Sequence, residues 1–275
     1  MALINGTSGN DWLNGTSSAD TIYGFDGHDS LYGEDGDDSL YGGNGHDTLV
    51  GGLGADYMEG NDGDDAYMVD DAGDVVVELS GEGDFDIVYT SLSTYTLPDE
   101  IENLQWNSSG SFNATGNARD NTILSGGSDD VLSGADGNDE IQASAGNDIL
   151  DGGDGNDYLN GASGADIYTG GAGSDFIKIG FFETGVGSAA DRITDFATGV
   201  DTIDVSAWDA NRSLPGNQAF TWIGSAAFSG TAGELHSYFD GVDTWVQADR
   251  NGDTIADFEI LLDGNVSLAG SDFIL

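Results

Sequence analysis

Gly42-Gly43-Asn44-Gly45-His46-Asp47-Thr48-Leu49-Val50 and, further along, Gly152-Gly153-Asp154-Gly155-Asn156-Asp157-Tyr158-Leu159-Asn160 are two copies of one nine-residue unit. The period extends from both. Asp11, Asp20, Asp29, Asp38, Asp47, Asp56 and Asp65 follow one another at steps of nine. So do Asn121, Asp130, Asp139, Asp148, Asp157, Asp166 and Asp175. Two residues after each stands an apolar or aromatic side chain, from Leu13 and Ile22 to Tyr67, and from Ile123 and Leu132 to Ile177. Five residues before each aspartate of the first series stands a glycine, Gly6 through Gly60.

The glycine-rich half of the unit is a turn, because it needs left-handed backbone and close approach of neighbouring chain. The other half is a short strand that sends one apolar side chain inward. A single such strand cannot bury its face, whereas stacked copies build a continuous core. The pattern therefore predicts an all-β parallel β-roll, or β-solenoid, of two nine-residue units per coil, with turns along both edges.

Stacking also aligns the acids. In the first block Asp11, Asp29, Asp47 and Asp65 fall in one column and Asp20, Asp38 and Asp56 in the other, with neighbouring carboxylates roughly 5 Å apart. Like charges at that spacing cost on the order of 3 kcal/mol per pair at an effective dielectric near 20. Several such pairs outweigh the ~5–15 kcal/mol that holds a typical domain together. A cation between turns is expected. Carboxylate and carbonyl oxygens are hard ligands that favour calcium over zinc or copper, and a flexible loop suits calcium better than magnesium.

Composition agrees. The 275 residues carry 51 Asp+Glu against 5 Lys+Arg, a formal net charge of −46, with 45 glycines and no cysteine. Nucleic acid and anionic membrane surfaces would repel such a chain. Disulfides and thiolate metal sites are impossible, and no apolar run is long enough for a transmembrane helix. High acidity alone would suggest disorder, but 5 Trp, 10 Tyr and 12 Phe supply core material.

On these nonapeptides the chain resembles the RTX family of secreted, hemolysin-type calcium-binding proteins. The resemblance implies a parallel β-roll with each ion held between consecutive loops on one edge, and up to about ten calcium ions if every stacked pair is competent. Departures lower that expectation: Ser18 replaces an inner glycine, Arg119 and Asn121 weaken the first loop of the second block, and Ala143-Ser144 replace a leading glycine pair. The expected organisation is a first roll block at 1–68, connecting solenoid strands at 69–115, a second block at 116–178 and a β-rich cap at 179–275. In the connection, Val75–Glu78, Asp86–Thr90 and Ile101–Trp106 read as strands; Glu102-Asn103-Leu104 resembles a strand that family members place before a second block. The competing reading of 69–115 is a small separate domain.

Asp191–Phe196, Asp201–Ser206, Phe228–Leu235 and the final Asp272-Phe273-Ile274-Leu275 resemble the segment that follows the roll in serralysin-type proteases, and the acidic residue before three apolar ones is similar to a type I secretion signal. A packed end strand is the plain alternative. The start of the chain lacks the features of a secretory signal peptide. Trp208, Phe220, Trp222, Trp245 and Phe258 could cap the roll. A further calcium candidate is Asp249, Asn251, Asp253 and Asp257, oxygen side chains around Gly252; a hairpin turn explains them equally well.

No catalytic pattern emerges. H-E-x-x-H and G-x-S-x-G are absent, and the histidines are His28, His46 and His236 alone. His28 and His46, 18 residues apart, should stack on one edge; loop residues facing solvent is the better reading than a transition-metal site. Tyr23, Tyr32 and Tyr41 offer a flat strip for sugar or simply cover the roll. The expected function is thus a non-catalytic extracellular binding protein that folds on calcium after passing the type I secretion machinery, with extracellular polysaccharide or the cell surface as partner. The competing function is a polysaccharide-acting enzyme or its accessory module. A membrane-active toxin is disfavoured by the missing long apolar region.

Overall fold

The computed structural model describes residues 1–180 and 186–275; residues 181–185 of the expected cap lie outside the described residues. The fold is all-β. Among the described residues, helix is limited to two 3-10 turns, Gly187–Ala189 and Gly270–Asp272, and no helix is long and apolar enough to cross a membrane. The chain forms two compact units, Met1–Ser125 and Gly126–Leu275.

In the first unit, strands Leu3–Asn5, Thr21–Asp26, Ser39–Asn44, Tyr57–Glu59 and Val75–Val77 pair in parallel and in that order. The opposite sheet runs through Trp12–Asn14, Ser30–Asp35, Thr48–Leu53, Ala66–Val69, Ile87–Thr90, Asn103–Trp106 and Thr122–Leu124, again all parallel. Residues 69–115 thus continue the stacked strands of the repeat. Thr94–Thr96 and Asn113–Thr115 also pair in parallel in this stretch, outside the nonapeptide pattern.

Register is set by one inward side chain per strand. Ile4, Ile22, Leu40, Met58 and Val76 are mutual neighbours in one sheet; Leu13, Leu31, Leu49, Tyr67, Val88, Leu104 and Ile123 are neighbours in the other. From Ile22 to Tyr67 every repeat core residue is fully buried. A slip of one residue would turn each of them outward, at about 1.5–3 kcal/mol per side chain.

The second unit repeats the scheme. Glu140–Gln142, Tyr158–Asn160, Phe176–Lys178, Thr202–Asp204 and Phe273–Ile274 form one parallel series. Val131–Asp136, Ile149–Asp154, Ile167–Ala172, Asp191–Ile193 and Phe258–Leu262 form the other. That second series then turns antiparallel through Thr244–Asp249 and Glu234–Phe239. Trp208, Phe220 and Phe258 pack together, with centroids 4.5 and 5.7 Å from Phe258, and Trp222 covers Phe273 at 4.8 Å. Trp245 departs from the expected cluster. It alternates with the buried Val246 on its strand, faces the other side of the sheet, and its indole N–H donates to Asp240 at 3.0 Å.

Candidate functional site

Each turn places its aspartate just before a strand, so the 18-residue coil stacks the aspartates one above another. The backbone N–H of each donates to Oδ1 of the aspartate one coil on: Asp11 to Asp29, Asp29 to Asp47 and Asp47 to Asp65 at 2.6–2.7 Å on one edge. On the other edge Asp20 donates to Asp38 and Asp38 to Asp56 at 2.6 and 2.7 Å. In the second unit Asp130, Asp148 and Asp166 are linked at 2.8 and 2.9 Å, and Asp139, Asp157 and Asp175 at 2.8 and 3.0 Å.

The columns run beyond the nonapeptides. Asp65 donates to Asp86, Asp86 to Glu102, Asp56 to Asp74, Asp166 to Asp191 and Asp175 to Asp201. Fixed steps do not reach four of these five, because the spacings are 21, 16, 25 and 26 residues; Asp74 stands at the regular 18 from Asp56, in a stretch that lacks the glycine-rich unit. A different signal marks them: each stands two residues before an inward Val, Leu or Ile, namely Val76, Val88, Leu104, Ile193 and Ile203.

While Oδ1 is used in the ladder, Oδ2 is not. The Oδ2 atoms of Asp29, Asp38, Asp47, Asp56, Asp65, Asp148 and Asp175 are buried without a hydrogen-bond partner. All but that of Asp148, whose turn begins with Ala143, face the first glycine of their own turn. A Cβ on Gly42 would strike both Asp47 Oδ2 and the carbonyl of Gly60, and one on Gly24 both Asp29 Oδ2 and the carbonyl of Gly42. Carboxylate and carbonyl oxygens therefore converge on space that only glycine leaves open. Burial, with the neighbouring carboxylates adding to it, pushes these acids up: Asp47, Asp56 and Asp175 to about 6, Asp148 to about 7 and Asp65 to about 8.

Some rungs are satisfied by the chain itself. Thr7 and Thr16 each give a hydroxyl and a backbone N–H to Oδ2 of Asp11 and Asp20; at Asp20 the Thr16 hydroxyl, with the Ala2 N–H, holds the carboxyl below its ordinary value. Asn121 accepts from the Asn117 N–H and donates to the carbonyl of Ile101, which a carboxylate could not do. Arg119 pairs with Glu100 and Glu102, adding fixed positive charge beside that column. At Asp166 the Tyr168 hydroxyl donates to Oδ2 at 3.3 Å and accepts the Gly161 N–H at 3.1 Å.

The loop Asp249–Asp257 joins two antiparallel strands and closes on itself. Asp249 accepts the N–H groups of Asn251, Gly252 and Thr254, and Asp257 those of Arg250 and the Asn251 side chain. Asp253 and Asn251 cap local turns. Arg250, buried beneath this loop, stacks over Trp208 and donates to the carbonyl of Asp209.

Outside the columns, His28 and His46 stack at 4.9 Å with planes 2° apart, and Nδ1 of each accepts a backbone N–H from the next coil. Tyr23 and Tyr41 stack at 4.8 Å, Phe25 and Tyr57 extend the row, and Tyr23, Phe25, Tyr41, Asn44, Asp62 and Glu82 line a shallow cleft of about 300 Å³.

The RTX calcium-binding nonapeptide repeat matches in four copies, at residues 5–40, 41–76, 115–150 and 142–177. No curated protein matches the chain by sequence. Among solved structures, it is similar to the AlgE6R3 subunit of the Azotobacter vinelandii mannuronan C5-epimerase, with 26% identity over 60% of this chain and 78% of that one and a TM-score of 0.28. The AlgE6R2 subunit of the same enzyme gives 27% identity over 58% and 91%, TM-score 0.28. Extracellular lipase LipA from Serratia marcescens gives 15% identity over 98% of this chain and 39% of that one, TM-score 0.26. Residues 5–76 and 115–177 of the chain are thus RTX calcium-binding nonapeptide repeats.

Proposed function

We propose that the chain is an extracellular calcium-binding repeat protein whose aspartate columns hold ions between successive coils and whose fold forms as those ions bind. The observation that supports this most directly is the set of buried Oδ2 atoms without partners at Asp29, Asp38, Asp47, Asp56, Asp65, Asp148 and Asp175, all but that of Asp148 beside a glycine that makes room. Bound calcium supplies positive charge where the chain has almost none. The chain's own residues align the oxygens, exclude water and keep the space clear. Fewer ions than the ten stacked pairs follow from the rungs closed by Thr7, Thr16, Asn121 and Tyr168.

Extracellular modules bind calcium at about 10⁻⁴–10⁻³ M, and a site at tenfold its dissociation constant adds roughly 1.4 kcal/mol. In a low-calcium cytoplasm the columns repel and the chain stays loose, which suits passage through a type I exporter. Circular dichroism during calcium titration, with chelator reversal, tests the coupling. A β signal unchanged by chelation would sink it.

For the partner, we propose a polysaccharide laid along the row Tyr23, Phe25, Tyr41 and Tyr57, with the chain acting as a binder rather than a catalyst. The same row suits a module of a polysaccharide-acting enzyme. A glycan array with and without calcium, beside a turnover assay, separates them: binding without turnover supports the first.

A further inference from the structure

We propose that the first unit contains a cation site of a different kind, built from three side-chain carboxylates, Asp65, Glu78 and Asp86, with the Tyr67 hydroxyl on its wall. Glu78 and Asp86 lie outside the nonapeptide series, and Glu78 breaks its rule. Met58 pairs with Val76 and Glu59 with Val77, so the next position sets Glu78 beside Gly60, where the repeat itself uses glycine. The loop that follows is longer: Asp65 and Asp86 stand 21 residues apart instead of 18, and the extra chain leaves room for a glutamate side chain to fold inward.

Three independent directions converge there. A Cβ on Gly60 would strike Asp65 Oδ2, Tyr67 Oη and Glu78 Oε1 together. One carboxylate oxygen from each of Asp65, Glu78 and Asp86 lies within 4.8 Å of the others. All three residues are buried, at 1%, 6% and 1% exposure, so water does not screen them. The Tyr67 hydroxyl donates to Glu78 Oε1, and the Asp65 N–H donates to Asp86 Oδ1. Those two bonds leave Asp65 Oδ2 and Glu78 Oε2 buried with no hydrogen-bond partner. Like carboxylates at this range cannot all ionise out of water without a counter-charge. The ligands are hard oxygens, which select calcium or a trivalent lanthanide over zinc or copper. A site with three carboxylates outbids a rung that offers fewer, because affinity for such ions grows with ligand charge. It therefore loads first. This rests on the reading of the columns as calcium sites only for the identity of the natural ion.

The test is a terbium titration of the chelator-stripped full chain, read by luminescence excited through the aromatic side chains and by bound metal after equilibrium dialysis. Wild type should show an early step that saturates before the rest. Glu78→Gln should weaken that step by roughly tenfold or more and lower bound metal by one ion per chain. Tyr67→Phe should keep the ion while losing most of the luminescence of that step, since the phenol beside the ion is its sensitiser. Unchanged affinity and count in Glu78→Gln, with the calcium-induced β signal intact, would overturn this site and leave the column reading standing. Absence of any calcium or terbium binding in wild type would overturn both.

Discussion

The backbone N–H of Asp29 donates to Oδ1 of Asp47, 18 residues later, at 2.7 Å, while Oδ2 of Asp47 is buried with no partner. One oxygen of Asp47 thus ties coil to coil while the other stands buried and unpaired beside Gly42. Replacing Asp47 by Asn keeps the first role and spoils the second, because the amide presents N–H groups where an anion stood. Asp47→Asn should bind at least one calcium fewer and shift the folding midpoint to higher calcium, with the far-ultraviolet spectrum of the metal-free chain unaltered. Isothermal titration calorimetry and circular dichroism report both.

Where glycine heads a turn, as at Gly42, it is required for space rather than for backbone freedom. Gly42→Ala puts a methyl group against Asp47 Oδ2 and the Gly60 carbonyl. It should abolish ion binding at that rung and destabilise the calcium-loaded form by about 1–3 kcal/mol, as an overpacked core substitution does. Urea unfolding at millimolar calcium measures it.

The second position of the turn behaves in the opposite sense. Gly43 holds φ 112°, and Phe25, Glu34, Asn61 and Ala135 occupy the same place with φ between 68° and 83°. Non-glycine residues there bear a strain of about 1–2 kcal/mol. Glu34→Gly should raise stability by about 1 kcal/mol, a gain that thermal unfolding in calcium would show as a higher Tm.

Acidity should act in opposite directions with and without metal. Burial raises Asp47, Asp56 and Asp175 to about 6, Asp148 to about 7 and Asp65 to about 8, above the unfolded value near 3.8. The metal-free fold binds more protons than the unfolded chain across that window, so its stability is greatest below pH 4 and falls as pH rises through 6 to 8. In calcium, protons compete with the ion and the fold should gain as pH rises over the same range. Chelated and loaded samples, followed by circular dichroism from pH 4 to 8, should give crossing curves; parallel curves would refute the assignment.

At Tyr168 a phenol closes the rung with protein hydrogen bonds. Tyr168→Phe strands Asp166 Oδ2 and the Gly161 N–H in a dry interior and should cost about 1–3 kcal/mol. Chemical denaturation at fixed calcium checks the size.

Much of this arrangement is legible in the sequence. The period of nine set the strand positions, the two units per coil and the pairing of aspartates 18 apart, because in a solenoid every contact is local to the next coil. Residues outside the strict period are not. Asp86, Glu102, Asp191 and Asp201 join the columns through turns of irregular length, and a fixed step cannot find them. Nor could counting show that Thr7 and Thr16 satisfy their own aspartates, since that depends on where a hydroxyl reaches. Trp245 was misplaced because hydrophobicity alone does not say which face of a strand a residue takes; the alternation with Val246 does.

The register of the first unit, in which Ile22 meets Leu40 and Leu40 meets Met58 across neighbouring coils, carries an evolutionary corollary. Duplication or loss of a whole coil leaves every remaining seam between rungs unchanged. Gaining or losing half a coil would exchange the two edges for all downstream chain. Genes for such proteins can therefore lengthen or shorten in steps of eighteen codons with little penalty, so ion capacity becomes a quantity that selection can dial up or down by recombination.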